Sequence, residues 1–223
     1  MLVQHTWVAP MLDAERASRS LPLSTPNAGQ LPAPEPLPRE LSDVEIVSLV
    51  STATDNARLA VVALLMGLSE EELIALRWEN VDLPGRLIRV SGEATRSVPL
   101  TEPLHGLLVS RRRTDADAAL VLHDAEGGQL EASDISRLVL YAAYDAALDR
   151  PDEISPATLR YTYLCSLVRQ GIRAADIADV MGRVSQRELI ACIQLHAPRE
   201  RRPLELIDRV LPPLRELAGD ASG

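Results

Sequence analysis

The 223-residue sequence contains no lysine and no phenylalanine. Without lysine, all 23 basic residues are arginine, and chemistry that needs an ammonium group as proton donor has none to use. Aromatic residues make up only 3 % of the chain, so Leu, Val, Ile and Ala must fill the interior. Such a filling suits helices. Cysteine is almost as scarce. Cys165 and Cys192 lie in apolar, helix-like stretches with no CxxC spacing, which predicts reduced core thiols and no metal site. His5, His105, His123 and His196 show no ligand or triad spacing. No cofactor is expected. Long apolar runs are missing too: the longest, residues 59–68, is too short to cross a bilayer, and no basic stretch followed by an apolar one opens the chain. These absences predict a cytoplasmic protein without a membrane partner. The formal net charge of −9 argues against a broad phosphate-binding surface, so any nucleic-acid contact must be local.

Proline, by contrast, is concentrated. Seven of the 16 prolines fall within residues 1–40, and "LPAPEPLP" repeatedly removes backbone donors and fixes φ. This segment reads as a linker or flexible arm ahead of a single domain at 41–218, with 219–223 as a tail. Within the domain, Ser42 followed by Glu45 and Ser69 followed by Glu72 are two capping boxes, each opening an apolar-periodic helix. A further helix is expected from Asp55 to Met66, ended by Gly67. Two β-prone runs, Leu87–Val90 and Arg96–Leu100, flank Gly92-Glu93-Ala94-Thr95 and read as a hairpin. Helix resumes near Thr101 and runs into Arg111, Arg112 and Arg113. A second extended piece is expected in "ALVLHDAEGGQL", turning at Gly127-Gly128. Helices then fit Ser133–Leu148, Pro156–Gln170, Ala174–Met181, Ser185–Leu195 and Pro203–Leu217, the last interrupted by Pro212-Pro213. The fold class is α+β, mostly helical, with a small β-hairpin or sheet.

Three linked segments, "MGLSEEELIALRWENVDL", "IRVSGEATRSVPL" and "SPATLRYTYLCSLVRQGIRAADIADVMG", occur in an order and at spacings that resemble the catalytic domain of tyrosine recombinases, the phage-integrase family. The likeness covers about residues 41–217. It implies that family's fold, a site that grips a scissile phosphate with two arginines, a tyrosine nucleophile, a hairpin lysine as general acid, and assisting histidine or tryptophan. Forked guanidiniums suit the charge that spreads over the non-bridging oxygens of the transition state.

Carried onto this chain, most of those positions hold other residues. The first arginine's place is Ser69, the hairpin lysine's is Glu93, and the histidine three residues before the second arginine is Ala157. Arg160 matches the second arginine, followed by Tyr161 where a histidine is usual. Arg183 stands in the His/Trp place, and the nucleophile falls at Cys192, or at Gln194 if the segment is slightly longer. No tyrosine follows Tyr163. The family's separate N-terminal DNA-clamping domain is not represented by the proline-rich segment.

Each residue carries an alternative. Arg160 is a phosphate contact or an arginine paired with an acid; Ser69 is a helix cap; Cys192 is a core thiol or a substitute nucleophile; Arg183 meets phosphate, an acidic partner or solvent. Arg111, Arg112 and Arg113 form one basic cluster, followed by Asp115 and Asp117, and Arg199, Arg201 and Arg202 another, interrupted by Glu200 and followed by Glu205. The expectation is a non-cleaving DNA-binding or regulatory protein lacking catalytic residues. The alternatives are an assembly module, with a protein partner or second copy docking through 203–217 as the resemblance implies, and an active recombinase.

Overall fold

The computed structural model describes residues 36–91, 95–114, 119–196 and 200–220, with side chains as far as Leu217. Side-chain caps fix where its helices begin. Ser42 Oγ accepts the Glu45 amide at 3.4 Å while Glu45 returns a bond to the Ser42 amide at 2.9 Å, starting α1, Asp43–Thr52. Ser69 and Glu72 repeat the exchange at 3.2 and 2.8 Å and start α3, Glu70–Ile74. Ser155 caps α6, Pro156–Gln170, with Pro156 at the first helical position, where its missing N–H is not needed. Between these lie α2, Asp55–Leu64, α4, Glu102–Thr114, and α5, Ala132–Asp145. After them come α7, Ala174–Met181, α8, Gln186–His196, and α9, Pro212–Asp220.

The run that α2 contributes is apolar on every side and accordingly sits in the middle of the fold, with residues 59–64 buried and α1, α4, α5 and α6 packed round it. A buried threonine ties the chain entering α1 to this core. Thr162 on α6 accepts the Leu41 amide at 3.0 Å and donates to the Thr158 carbonyl at 2.8 Å, so its own hydroxyl is matched both ways.

The expected hairpin forms as β2, Leu87–Val90, and β3, Arg96–Pro99, antiparallel in the register Ile88↔Val98 and Val90↔Arg96. The turn residues, Glu93 included, lie outside the described residues. A third strand, β1, Val81–Asp82, pairs antiparallel with β2, giving the order β1-β2-β3. Two residues are too few to show a period in sequence.

Two expectations need correcting. Residues 119–130 form an irregular turn rather than an extended pair: Asp124 accepts from the amides of Glu126 at 3.0 Å and Gly128 at 2.6 Å, and Gly127 takes a left-handed φ of 82°. Only a single bridge, Arg77↔Leu120, is of strand type there. Residues 203–217 are not one helix. A 3-10 turn at Leu204–Leu206 is followed by irregular chain, and α9 starts at Pro212 because two successive prolines cannot donate within a helix but fit its first turn. Its apolar face is used within the chain: Leu211 and Leu214 are buried and α9 packs on α1 and α4. No helix among the described residues is long and apolar enough to cross a membrane.

Candidate functional site

Strand alternation puts Arg96 on the same face of β3 as Val98, the inward one, and its side chain is only 5 % exposed. A buried guanidinium needs partners, and each nitrogen of this one has at least one. It forms a two-pronged ion pair with Glu72, Nη2 to Oε2 at 2.8 Å and Nη1 to Oε1, and it also donates to the carbonyls of Gly67 and Val180, each at 3.3 Å. Glu72 thus serves twice, capping α3 through Ser69 and neutralising Arg96. Gly67 and Gly182 let the backbone close round this pair. Both have positive φ, 91° and 68°, and a Cβ on Gly67 would stand 2.9 Å from the Tyr163 ring, one on Gly182 2.6 Å from Arg96 Nη1.

Through Glu72 this knot borders an open cleft of about 650 Å³. Ser69, Glu71, Glu72 and Asn80 line it from the α3 side, Arg89 and Val90 from β2, and Arg160 and Arg183 from α6 and the turn after α7. Three expected positions, Ser69, Arg160 and Arg183, therefore come together. Ala157 is exposed one turn before Arg160 and borders a smaller neighbouring pocket shared with Glu70, Glu71 and Glu188.

Arg160 is half-buried, and its Nη2 donates to the carbonyls of Met181 at 2.8 Å and Arg183 at 2.9 Å. The guanidinium thus closes the end of α7. Its Nε is buried without a partner. Burial draws its pKa down, opposed by the charges of Glu72, Glu188 and Glu71 and reinforced by that of Arg96. Burial likewise raises the carboxyls of Glu70 and Glu188, with Arg160 pulling the other way. Glu71 is held below its usual range, chiefly by the Ser69 hydroxyl.

All four tyrosines are described, and none lines the cleft. Tyr163 is buried and donates to the Arg209 carbonyl at 3.0 Å, and burial pushes its pKa up. Tyr161 is buried beside Cys165, Tyr144 donates to Asp152 at 2.6 Å, and Tyr141 is exposed on α5. Cys192, on α8, is fully buried and its Sγ lies 3.0 Å from Cys165 Sγ on α6. The thiol–thiol hydrogen bond holds Cys165 below the range of a free thiol against burial, while the same contact and burial push Cys192 well above it. Gln194 lies on the same helix as Cys192, at a part-exposed to exposed stretch of α8.

The outlying arginines do not extend the cleft as one basic face. Arg112 lies over the Trp78 ring at 5.0 Å, Arg111 contacts His123 at 3.2 Å, and Arg113 is exposed at the end of α4. Arg201 donates to the Ile172 carbonyl at 3.3 Å and Arg202 pairs through its backbone with Gly171, at the opposite end of α6 from Arg160. Arg199 lies outside the described residues. Arg96 and Arg89 were not singled out in the sequence, and Glu72 only as the capping partner of Ser69. The signal for Arg96 was present: a charged residue in phase with Val98 on a strand that alternates buried and exposed.

The family model for the phage integrase family matches residues 40–191. Among solved structures, XerA recombinase is similar at 22 % identity and a TM-score of 0.60, covering 75 % of this chain and 66 % of its own. The integrase of mycobacterium phage Brujita is similar at 17 % identity and a TM-score of 0.57, covering 80 % and 65 %. The Tn1549 transposon integrase in complex with transposon right end DNA gives 17 % and 0.60, covering 86 % and 69 %. The chain thus spans about two thirds of the length of each. At such identities the likeness establishes the fold. No curated protein sequence matches the chain. With three helix-to-hairpin segments in family order, the matching architecture and a family model that spans most of the domain, the chain belongs to the phage integrase family, with the fold of tyrosine-recombinase catalytic domains.

Proposed function

We propose that this chain is a non-cleaving member of the family that contacts duplex DNA locally, through Arg160, Arg183 and Arg89 at the cleft. The observation that carries the reading is the content of that cleft. Where a phosphodiester transition state calls for converging guanidiniums and a hydroxyl nucleophile, Ser69 caps a helix, Arg160 is bonded to two carbonyls, and every tyrosine is elsewhere. Cys192 does not substitute as a nucleophile, because it is buried against Cys165 and does not line the cleft.

Support for DNA as the partner is electrostatic. Against a net charge of −9, the cleft gathers Arg89, Arg160 and Arg183 beside Glu71 and Glu72, and Glu72 is already neutralised by Arg96. Solved relatives of the same fold are described in complex with DNA. Fluorescence anisotropy on random duplex at two salt concentrations tests the reading. Binding on the order of micromolar at low salt is expected, weakening steeply as salt rises, with Arg183→Ala lowering the salt slope by about 1. No binding at low salt would remove DNA as the partner. A second reading, a docking surface for a protein with basic side chains, draws on Glu70, Glu71 and Glu188 clustered round Arg160. Under it, Glu71→Gln would weaken partner capture and leave DNA titrations flat.

A further inference from the structure

Away from the cleft, a second cluster of chemically capable side chains assembles from three separate parts of the chain. Cys165 comes from α6, Cys192 and His196 from α8, and Glu40 from the segment that leads into α1. One donor atom from each of Cys165, Cys192 and His196 lies within 4.8 Å of the other two. The helix dictates half of this arrangement: residues four apart, as Cys192 and His196 are, project from one face. His196 Nε2 is 3.4 Å from Glu40 Oε2, and the other oxygen of Glu40 is taken by Arg169 at 2.5 Å.

We infer that Cys165, Cys192, His196 and Glu40 form a binding site for a tetrahedral divalent metal of zinc type, which staples α8 to α6 and to the entry of α1. Two thiolates, one imidazole and one carboxylate are a donor set that such ions favour. The spacings fit. With metal–nitrogen and metal–oxygen bonds of about 2.0–2.1 Å, a tetrahedron places N and O about 3.3 Å apart, close to the observed 3.4 Å. Metal–sulfur bonds of about 2.3 Å would place the two sulfurs about 3.8 Å apart, so the 3.0 Å pair must open by less than 1 Å, within reach of small side-chain rotations.

The surroundings suit ligands more than a disulfide. Two cysteines alone would need neither the histidine nor the carboxylate. Arg169 holds one carboxylate oxygen and leaves the other facing the histidine, a role that orients a ligand. Access exists as well: the side chains of Glu40 and His196 are about a quarter exposed, and Glu40 borders an open groove of about 400 Å³. The family resemblance places the strand-cutting nucleophile at or near Cys192; here that position would hold α8 in place.

The test uses the full chain, purified under reducing conditions, stripped with chelator and titrated with cobalt(II) as a spectroscopic stand-in for zinc. Expected are one equivalent bound, the thiolate-to-cobalt charge-transfer band, the intense visible bands of a tetrahedral site, and displacement by zinc. Cys192→Ser and His196→Ala should each abolish or shift those bands. Arg169→Ala, which touches no metal, should weaken affinity about 10- to 100-fold while keeping the spectrum. Because Cys192 is buried, the partly exposed His196→Ala variant guards against misfolding, checked by helical circular dichroism. Absence of thiolate–cobalt absorption in folded, reduced protein overturns the inference, whether the thiols are then free or join as a disulfide in air. Bands that persist unchanged in Cys192→Ser overturn it too.

Discussion

Arg96, buried behind Glu72, and Arg160, at the cleft, show how differently two arginines can be used. Arg96 is buried with a carboxylate and two carbonyls as partners, so truncating it would strand Glu72 in a half-buried place and leave two carbonyls without donors. Loss of one partner of such a pair costs about 3–5 kcal/mol. Arg96→Ala should therefore lower the urea midpoint markedly, and the double change Arg96→Met, Glu72→Gln should recover much of it. Ser69 carries a smaller share. Ser69→Ala should cost about 1 kcal/mol by urea denaturation, and Ser69→Arg, which rebuilds the family's usual residue, should cost a similar amount by removing the cap. Acid sensitivity has an identifiable contributor at the same scale. Burial raises the Glu45 carboxyl, but bonds from Arg39 and Ser42 outweigh it and hold the pKa below the usual glutamate range. A depressed folded pKa gives stability that is complete above the unfolded value and disappears as pH falls through the folded one. Glu45→Gln should thus be less stable than the parent at neutral pH, and the gap should close in acid; a gap independent of pH would contradict the assignment.

At the scale of elements, capping decided what could be read in advance. The starts of α1, α3 and α6 were legible because each pairs a serine with an acceptor or proline at fixed spacing, and the hairpin strands were legible from their β-branched runs. Segment 119–130 was not, because one aspartate side chain replaces the strand ladder with local bonds. The splitting of 203–217 was half legible: the proline pair was visible, but that it would open a helix rather than interrupt one depends on Leu211 and Leu214 finding the groove between α1 and α4. Leu214 is fully buried there, so Leu214→Ala should destabilise by about 2–5 kcal/mol in thermal or urea unfolding. The cleft was legible at Ser69, Arg160 and Arg183, which family order places together. Arg96 and the meeting of Cys165 with His196 were not, since both depend on which faces of separate elements turn towards each other.

For the whole molecule, the proposed function separates fold from chemistry. The scaffold of a tyrosine-recombinase catalytic domain is present from the first cap to the helix that carries Cys192, and Glu72 and Arg160 at the cleft, with Tyr163 behind it, help hold that scaffold together. Glu72 caps and neutralises, Arg160 closes the end of α7, and Tyr163 donates to a backbone carbonyl in the interior. What such a molecule can still offer is a charged cleft on a rigid frame. The most direct measurement is covalent trapping: the protein is incubated with a library of randomised, nicked suicide duplexes, quenched in detergent and resolved for protein-linked strands. The account predicts no linked species above a heat-denatured control, alongside salt-sensitive binding to the same duplexes. A covalent protein–DNA adduct, mapped by peptide mass to any residue of this chain, would contradict it.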